Sequence, residues 1–109
     1  MRAHPIVAAA ALMTFLLTDA AAADLAAGKA KATEVCAACH GADGNSQSPD
    51  FPRIGGQYPD YLAKALRDYK AGRRKNPIMA GFAQTLSTQD IDNLAAYYSS
   101  QAPAVYFKP

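Results

Sequence analysis

Metal-binding and redox side chains are scarce in this sequence: its 109 residues hold two cysteines, two histidines and three methionines. A zinc site needs four ligands, and two cysteines with one neighbouring histidine would leave the fourth place to a carboxylate. Charge of one sign is lacking too, since the formal net charge is only +2, a balance that argues against a nucleic-acid binder. No apolar run reaches the roughly 18 residues that a membrane-spanning helix needs. Nor does any alternating polar–apolar stretch precede the cysteines, so the strand-rich βαβ setting of a thioredoxin-like C-x-x-C pair is missing.

The front of the chain reads as an export signal. "MRAHP" gives a positively biased start through Arg2, "IVAAAALMTFLL" is a short apolar core, and "TDAAAAD" offers the small-x-small pattern of a cleavage site. Cleavage is expected between Ala23 and Asp24, with residues 1–23 removed and 24–109 remaining as a single domain exported to the periplasm. The alternative, an uncleaved anchor, is opposed by the short core and by the absence of a positive cluster close behind it. Removal takes His4, Met1 and Met13 with it and leaves ten basic against eight acidic side chains. One histidine, His40, and one methionine, Met79, remain. A domain this small often needs a staple such as a disulfide, a metal or a large cofactor.

The two cysteines stand in "VCAACHGADG", residues 35–44, three positions apart and with His40 directly after the second. In an exported protein a disulfide between Cys36 and Cys39 is the first expectation. So small a loop restrains the unfolded chain little, however, and contributes little stability. C-x-x-C-H is also the attachment motif of c-type haem. Two thiols about one helical turn apart can form thioethers with the two vinyl groups of one porphyrin, and His40 then reaches the iron from one face. This reading uses every residue of the motif and predicts one covalent haem c.

Helical periodicity surrounds the motif. "DLAAGKAKATEVCAACH" opens on Asp24 as N-cap and sets Leu25, Gly28, Ala32 and Val35 on one stripe. "GADGNSQSPDFPRIGGQ" has the composition of an irregular loop; it suits a wrapped cofactor edge, with Asn45 to Asp50 read as solvated. A second helix is expected from about Pro59 to Lys70 with Gly72 as its stop, its stripe of Tyr58, Tyr61, Leu62, Ala65, Leu66 and Tyr69 read as core with hydroxyls at the rim. A third begins after Ser87, where Ser87 and Asp90 form a near capping box, and buries Ile91, Leu94, Ala95 and Tyr98 until Pro103 ends the pattern. "GRRKNPIMAGFAQTL" between them lacks periodicity and is read as a loop holding Met79. "AVYFKP" is an apolar tail with no derivable docking.

The chain resembles the class I c-type cytochromes, small all-helical monohaem electron carriers, and in particular their bacterial periplasmic branch. The residues that carry the resemblance are "CAACHG" at 36–41, "PRIGG" at 52–56, "NPIM" at 76–79 and "LAAYY" at 94–98. It implies an all-α, cytochrome c-like bundle of about three main helices wrapped around one covalently attached haem. In that family the first helix crosses the last through a glycine eight residues before the first cysteine, which Gly28 matches. An aromatic belongs four residues before that cysteine; Ala32 stands there, so Tyr97 is expected to pack against a smaller neighbour. Pro52 matches the proline whose carbonyl accepts a hydrogen bond from the ligand histidine, which would fix the imidazole and strengthen it as a ligand, although a proline there also suits a simple turn. Ile54 would then pack on the haem. Met79, ordinarily a gap-filler, resembles the family's distal ligand in its spacing after the cysteines, and with His40 used it is the one soft neutral ligand left.

The implied function is one-electron transfer between redox protein partners by a monomeric carrier, with His40 and Met79 on the iron. The alternative is a cytochrome subunit of a larger dehydrogenase or oxidase complex. An open-site haem enzyme fits poorly, because no second histidine remains and Met79 would close the site. Lys70, Arg73, Arg74 and Lys75 form a basic group before the Met79 segment. It suits either an acidic partner or the dipole of a helix C-terminus.

Overall fold

The structure is a computed structural model that describes residues 1–11 and 22–104. The later part of the expected signal core and tail residues 105–109 lie outside the described residues. Five helices follow in order: α1 Leu25–Val35, α2 Ala37–His40, α3 Pro59–Ala71, α4 Pro77–Gln84 and α5 Thr88–Ser99. There is no strand among the described residues, and no helix among them is long and apolar enough to cross a membrane.

Local chemistry sets most boundaries. Asp24 caps α1, its Oδ1 accepting from the Ala27 N–H at 3.0 Å. Pro59 stands at the first position of α3, and Gly72 ends that helix in the left-handed region at φ 76°, a conformation glycine adopts without a Cβ clash. At α5 the capping box is complete: the Asp90 N–H donates to Ser87 Oγ and the Ser87 N–H donates to Asp90 Oδ2, both at 3.0 Å.

The core lies where α1 crosses α5 and where α3 and α4 close over them. Gly28 makes the crossing possible, since a Cβ there would stand 2.2 Å from the Asn93 carbonyl oxygen and 2.9 Å from Tyr97 Cβ. Ala32 and Tyr97 share the buried cluster with Leu94 and Ala95, so the small residue accommodates the ring on the opposite helix. Asn93, itself buried, accepts from the Asp24 N–H at 2.8 Å and ties the start of α1 to α5.

Several sequence expectations need correction. Met79 stands in α4, because Asn76 caps the segment and Pro77 opens it; eight residues are too few to display a periodic stripe. The first helix is interrupted at Cys36, so the attachment motif sits on its own short helix. Leu25 is half exposed, and Tyr58, at 77% exposure, precedes α3 as its N-cap position and belongs to no buried face. Asn45 and Ser46 are not solvated: Ser46 is buried, and the Asn45 amide donates to the Ala102 carbonyl and accepts from the Ala104 N–H.

Candidate haem site

The C-terminal end of α1 delivers Val35 and Cys36, and α2 presents Cys39 and His40 one turn on. Gly41, at φ 88°, ends that turn. The chain then doubles back so tightly that a Cβ at Gly44 would meet the Gly55 nitrogen at 2.6 Å and the Tyr98 ring at 2.8 Å. The Gly44 carbonyl accepts from the N–H groups of Ile54 and Gly55 at 2.7 and 3.0 Å, which brings Pro52 and Ile54 beside His40. Two successive tyrosines of α5 fasten the same turn. Tyr97 donates to the Ala42 carbonyl at 2.6 Å and Tyr98 to the Gly41 carbonyl at 3.3 Å.

His40 is buried, and its Nδ1 lies 2.9 Å from the Pro52 carbonyl oxygen. A carbonyl only accepts, so Nδ1 is the nitrogen that carries a proton towards Pro52, and Nε2 is the one left to face a metal. The buried imidazole is thereby fixed in one tautomer.

Cys36 and Cys39 are both free thiols and partly buried. Burial pushes the Cys36 thiol up to about 11, a hydrogen bond with Tyr98 opposing and the nearby Cys39 adding to the rise. Catalytic thiols of the thioredoxin kind are shifted the other way, so Cys36 does not resemble an attacking thiolate. Burial also holds the Tyr98 phenol well above its ordinary range, which keeps it a hydrogen-bond donor at all working pH.

These residues open onto one cavity of about 350 Å³ whose wall includes Cys36, Cys39, His40, Pro52, Ile54 and Met79. All six sequence-predicted site residues are therefore brought together, although 39 positions separate His40 from Met79 in the chain. Leu62, Leu66, Leu86, Leu94 and Ala95 complete an apolar surface, with Tyr61, Tyr69 and Arg74 towards one rim. The donor set fits a haem: two thiols at the attachment spacing, a neutral imidazole nitrogen, a thioether and apolar walls that match a porphyrin's faces.

The basic group divides in the structure. Lys70 Nζ donates to the Leu86 carbonyl and Arg73 Nε to Asp68 Oδ1 at 2.8 Å, which gives both intramolecular work. Arg74 lies over the Tyr69 ring, 4.9 Å from its centroid, and reaches the Tyr61 hydroxyl at 3.5 Å. Sequence reasoning missed Asn76, Asn93 and the paired work of Tyr97 and Tyr98. Of these, Asn76 carried a readable signal, an Asn–Pro step at a helix start.

Residues 25–102 match the cytochrome c family. The chain belongs to the cytochrome c family. Cytochrome c4 of Pseudomonas aeruginosa is 50% identical over 96 residues, which cover 86% of this chain and 47% of that protein. Cytochrome c-554(548) of Halomonas halodenitrificans is 45% identical over 83 residues, covering 73% of this chain and 99% of that one. The crystal structure of reduced recombinant cytochrome c4 from Pseudomonas stutzeri superposes with a TM-score of 0.71 at 46% identity, covering 77% of this chain and 48% of that chain. The chain thus spans about half the length of the cytochrome c4 relatives it matches and nearly all of the c-554(548) relative. The membership carries the all-α cytochrome c fold and one haem c at the Cys36–Cys39 pair.

Proposed function

We propose that this cytochrome c domain is a one-electron carrier of the periplasm, with residues 1–23 removed on export and redox proteins as its donor and acceptor. The observation that carries the reading is the single cavity that gathers Cys36, Cys39, His40, Pro52, Ile54 and Met79. Haem held there supplies reversible one-electron chemistry at its iron. Cys36 and Cys39 anchor it through thioethers. The Pro52 carbonyl holds the His40 ring so that Nε2 would be its ligand atom, and Met79 would offer its sulfur as the second ligand. Ile54, Leu66 and Leu94 keep water away, and a soft thioether in a dry site favours the reduced state. Two side chains able to hold the group, His40 and Met79, would leave a substrate no place at the iron, which suits a domain that passes electrons without transforming a small molecule. A catalytic subunit that keeps this domain in a complex is the alternative arrangement, and it predicts co-purification of that subunit from native periplasm.

The test uses mature protein made in a host with haem-maturation machinery. Haem should stay with the polypeptide through acid–acetone extraction, and Cys36→Ala with Cys39→Ala should abolish this. The oxidised protein should show the weak long-wavelength sulfur-to-iron band, the reduced protein should bind carbon monoxide poorly, and a redox titration should follow a one-electron curve. Met79→Ala should remove the band, admit carbon monoxide and lower the potential, within the span of about 0.8 V that axial ligands command. Extractable haem would sink the attachment, and a band unchanged in Met79→Ala would sink the ligand assignment.

A further inference from the structure

Helix α4 begins with Pro77, which has no N–H, so its first turn presents three backbone donors. Asn76 satisfies all three. Its Oδ1 accepts from the Ile78 N–H at 3.0 Å and from the Met79 N–H at 3.1 Å, and its carbonyl accepts from the Ala80 N–H at 2.8 Å. Proline at the next position disfavours helical backbone for the residue before it, and Asn76 is accordingly extended at φ −159° and ψ 116°, which is N-cap geometry.

Packing holds the other end of the helix. Ala83 is fully buried, and Leu86 just beyond it is nearly so. The half that carries Met79 faces the cavity, with Ile78 and Met79 in its wall, and the side-chain bonds that fix its first turn to the rest of the chain come from Asn76. Hydrogen bonds from the Asn76 side chain therefore help set where the Met79 backbone sits. Asn76 also lines the same cavity as Met79.

We propose that Asn76 is the positioning residue for Met79: by capping the first turn of α4 it holds the sulfur in ligating position and so sets how readily that ligand leaves the iron. The inference rests on the reading of Met79 as the sixth ligand. Without Oδ1, the N–H groups of Ile78 and Met79 turn to water, the first turn frays and the sulfur-off population grows. Loss of a good cap corresponds to about a fivefold change in such an equilibrium, roughly 1 kcal/mol.

The experiment compares the mature haem-loaded wild type with Asn76→Ala, Asn76→Ser, Ser87→Ala and Met79→Ala, reading carbon monoxide affinity in the reduced form and the sulfur-to-iron band in the oxidised form. Asn76→Ala should raise carbon monoxide affinity about fivefold and lose the band at a lower temperature on warming. Asn76→Ser, which restores an acceptor, should return both readouts close to wild type. Ser87→Ala removes the cap of a different helix, α5, and should lower the melting temperature while leaving both readouts alone. A melting temperature lowered in Asn76→Ala with wild-type carbon monoxide affinity and band would make Asn76 a helix cap only, and the proposal would fall. Should Asn76→Ala fail to take up haem, Asn76→Thr, a weaker cap than Asn, is expected to raise the affinity about twofold, and a wild-type affinity there overturns the proposal equally. If Met79→Ala leaves the band in place, the ligand reading fails first and this inference goes with it; if the band disappears in Met79→Ala, the Asn76 variants test the positioning role alone.

Discussion

On the His40 side of the cavity, the imidazole is 8% exposed, bonded to the Pro52 carbonyl, and set in a turn that two tyrosines of α5 and the Gly44 carbonyl fasten independently. On the Met79 side, the sulfur comes from a short helix whose first turn is capped by Asn76 and whose Ile78 and Phe82 line the cavity beside Met79. The first side is over-determined: several contacts of different kinds fix the same atoms, so no one of them decides where His40 sits. On the second side, Asn76 fastens the first turn of α4 while buried Ala83 and Leu86 hold its far end. A cofactor bound between them would be attached and aligned by a rigid wall and tuned by an adjustable one. Local stability is set by the density of buried contacts around a segment, and that density differs between the two walls.

The largest expected effect breaks the rigid wall at its foundation. Gly28→Val places a side chain where even a Cβ would stand 2.2 Å from a backbone carbonyl oxygen, so α1 must move off α5 rather than a neighbour adjusting. Overpacking of this severity costs about 3 kcal/mol, which for a domain of this size lowers the melting temperature by roughly 15 °C. Because Cys36 follows at the end of α1, the yield of haem-loaded protein should fall as well. A variant that melts like the wild type would show that the crossing tolerates separation and that the rigid wall is held elsewhere.

How far the two walls could be read in the sequence follows the same division. Gly28, the C-x-x-C-H run, the Pro59 start and Gly72 stop of α3, and the Ser87–Asp90 box are signals confined to a few adjacent residues, and the structure uses each where it stands. The buried face of α5 was also legible, because Ile91, Leu94, Ala95 and Tyr98 repeat at helical spacing over about two turns. Helix α4 was missed because eight residues show too little periodicity, although its Asn–Pro start carried a capping signal. Tyr58 matched the α3 stripe by spacing but lies before the first helical residue, where the spacing rule no longer applies. Asn45 holding the backbone at 102 and 104 leaves no mark in the sequence at all. A side-chain-to-backbone bond across 57 or 59 positions has no period and demands no particular residue at its far end.

A smaller effect tests whether the turn after His40 is fastened redundantly. Tyr97→Phe keeps the ring and removes the hydroxyl that donates to the Ala42 carbonyl. The loss is about 1 kcal/mol, the usual net worth of one such bond, seen as a melting temperature lower by roughly 6 °C. The sulfur-to-iron band and carbon monoxide affinity should stay at wild-type values, because the Tyr98 bond to the Gly41 carbonyl and the Pro52 bond to His40 remain. Carbon monoxide affinity rising as much as in Asn76→Ala would erase the contrast between the walls.

The smallest effect separates the two helix caps by chemistry. Asn76 caps α4 with a neutral amide, whereas Asp90 closes the α5 box with a carboxylate. The Ser87 N–H, bonded to that carboxylate, holds Asp90 below its ordinary value of 3.8, against a partial opposing effect of burial. A carboxyl group whose folded-state value is depressed contributes stability that is fully present above 3.8 and is lost as the pH falls through the lower, folded-state value. Above that window the charge also favours the N-terminal end of the helix dipole. Asp90→Asn keeps an acceptor for the Ser87 N–H but cannot ionise. The wild type should therefore melt above Asp90→Asn at neutral pH, and the gap should close as the pH falls from 3.8 through the lower folded-state value of Asp90. Carbon monoxide affinity should differ little between the two proteins across that range, since the α4 cap does not titrate. A gap that stays constant with pH would mean that the box works through its hydrogen bond alone, and that charge plays no part in holding the α5 side of the cavity.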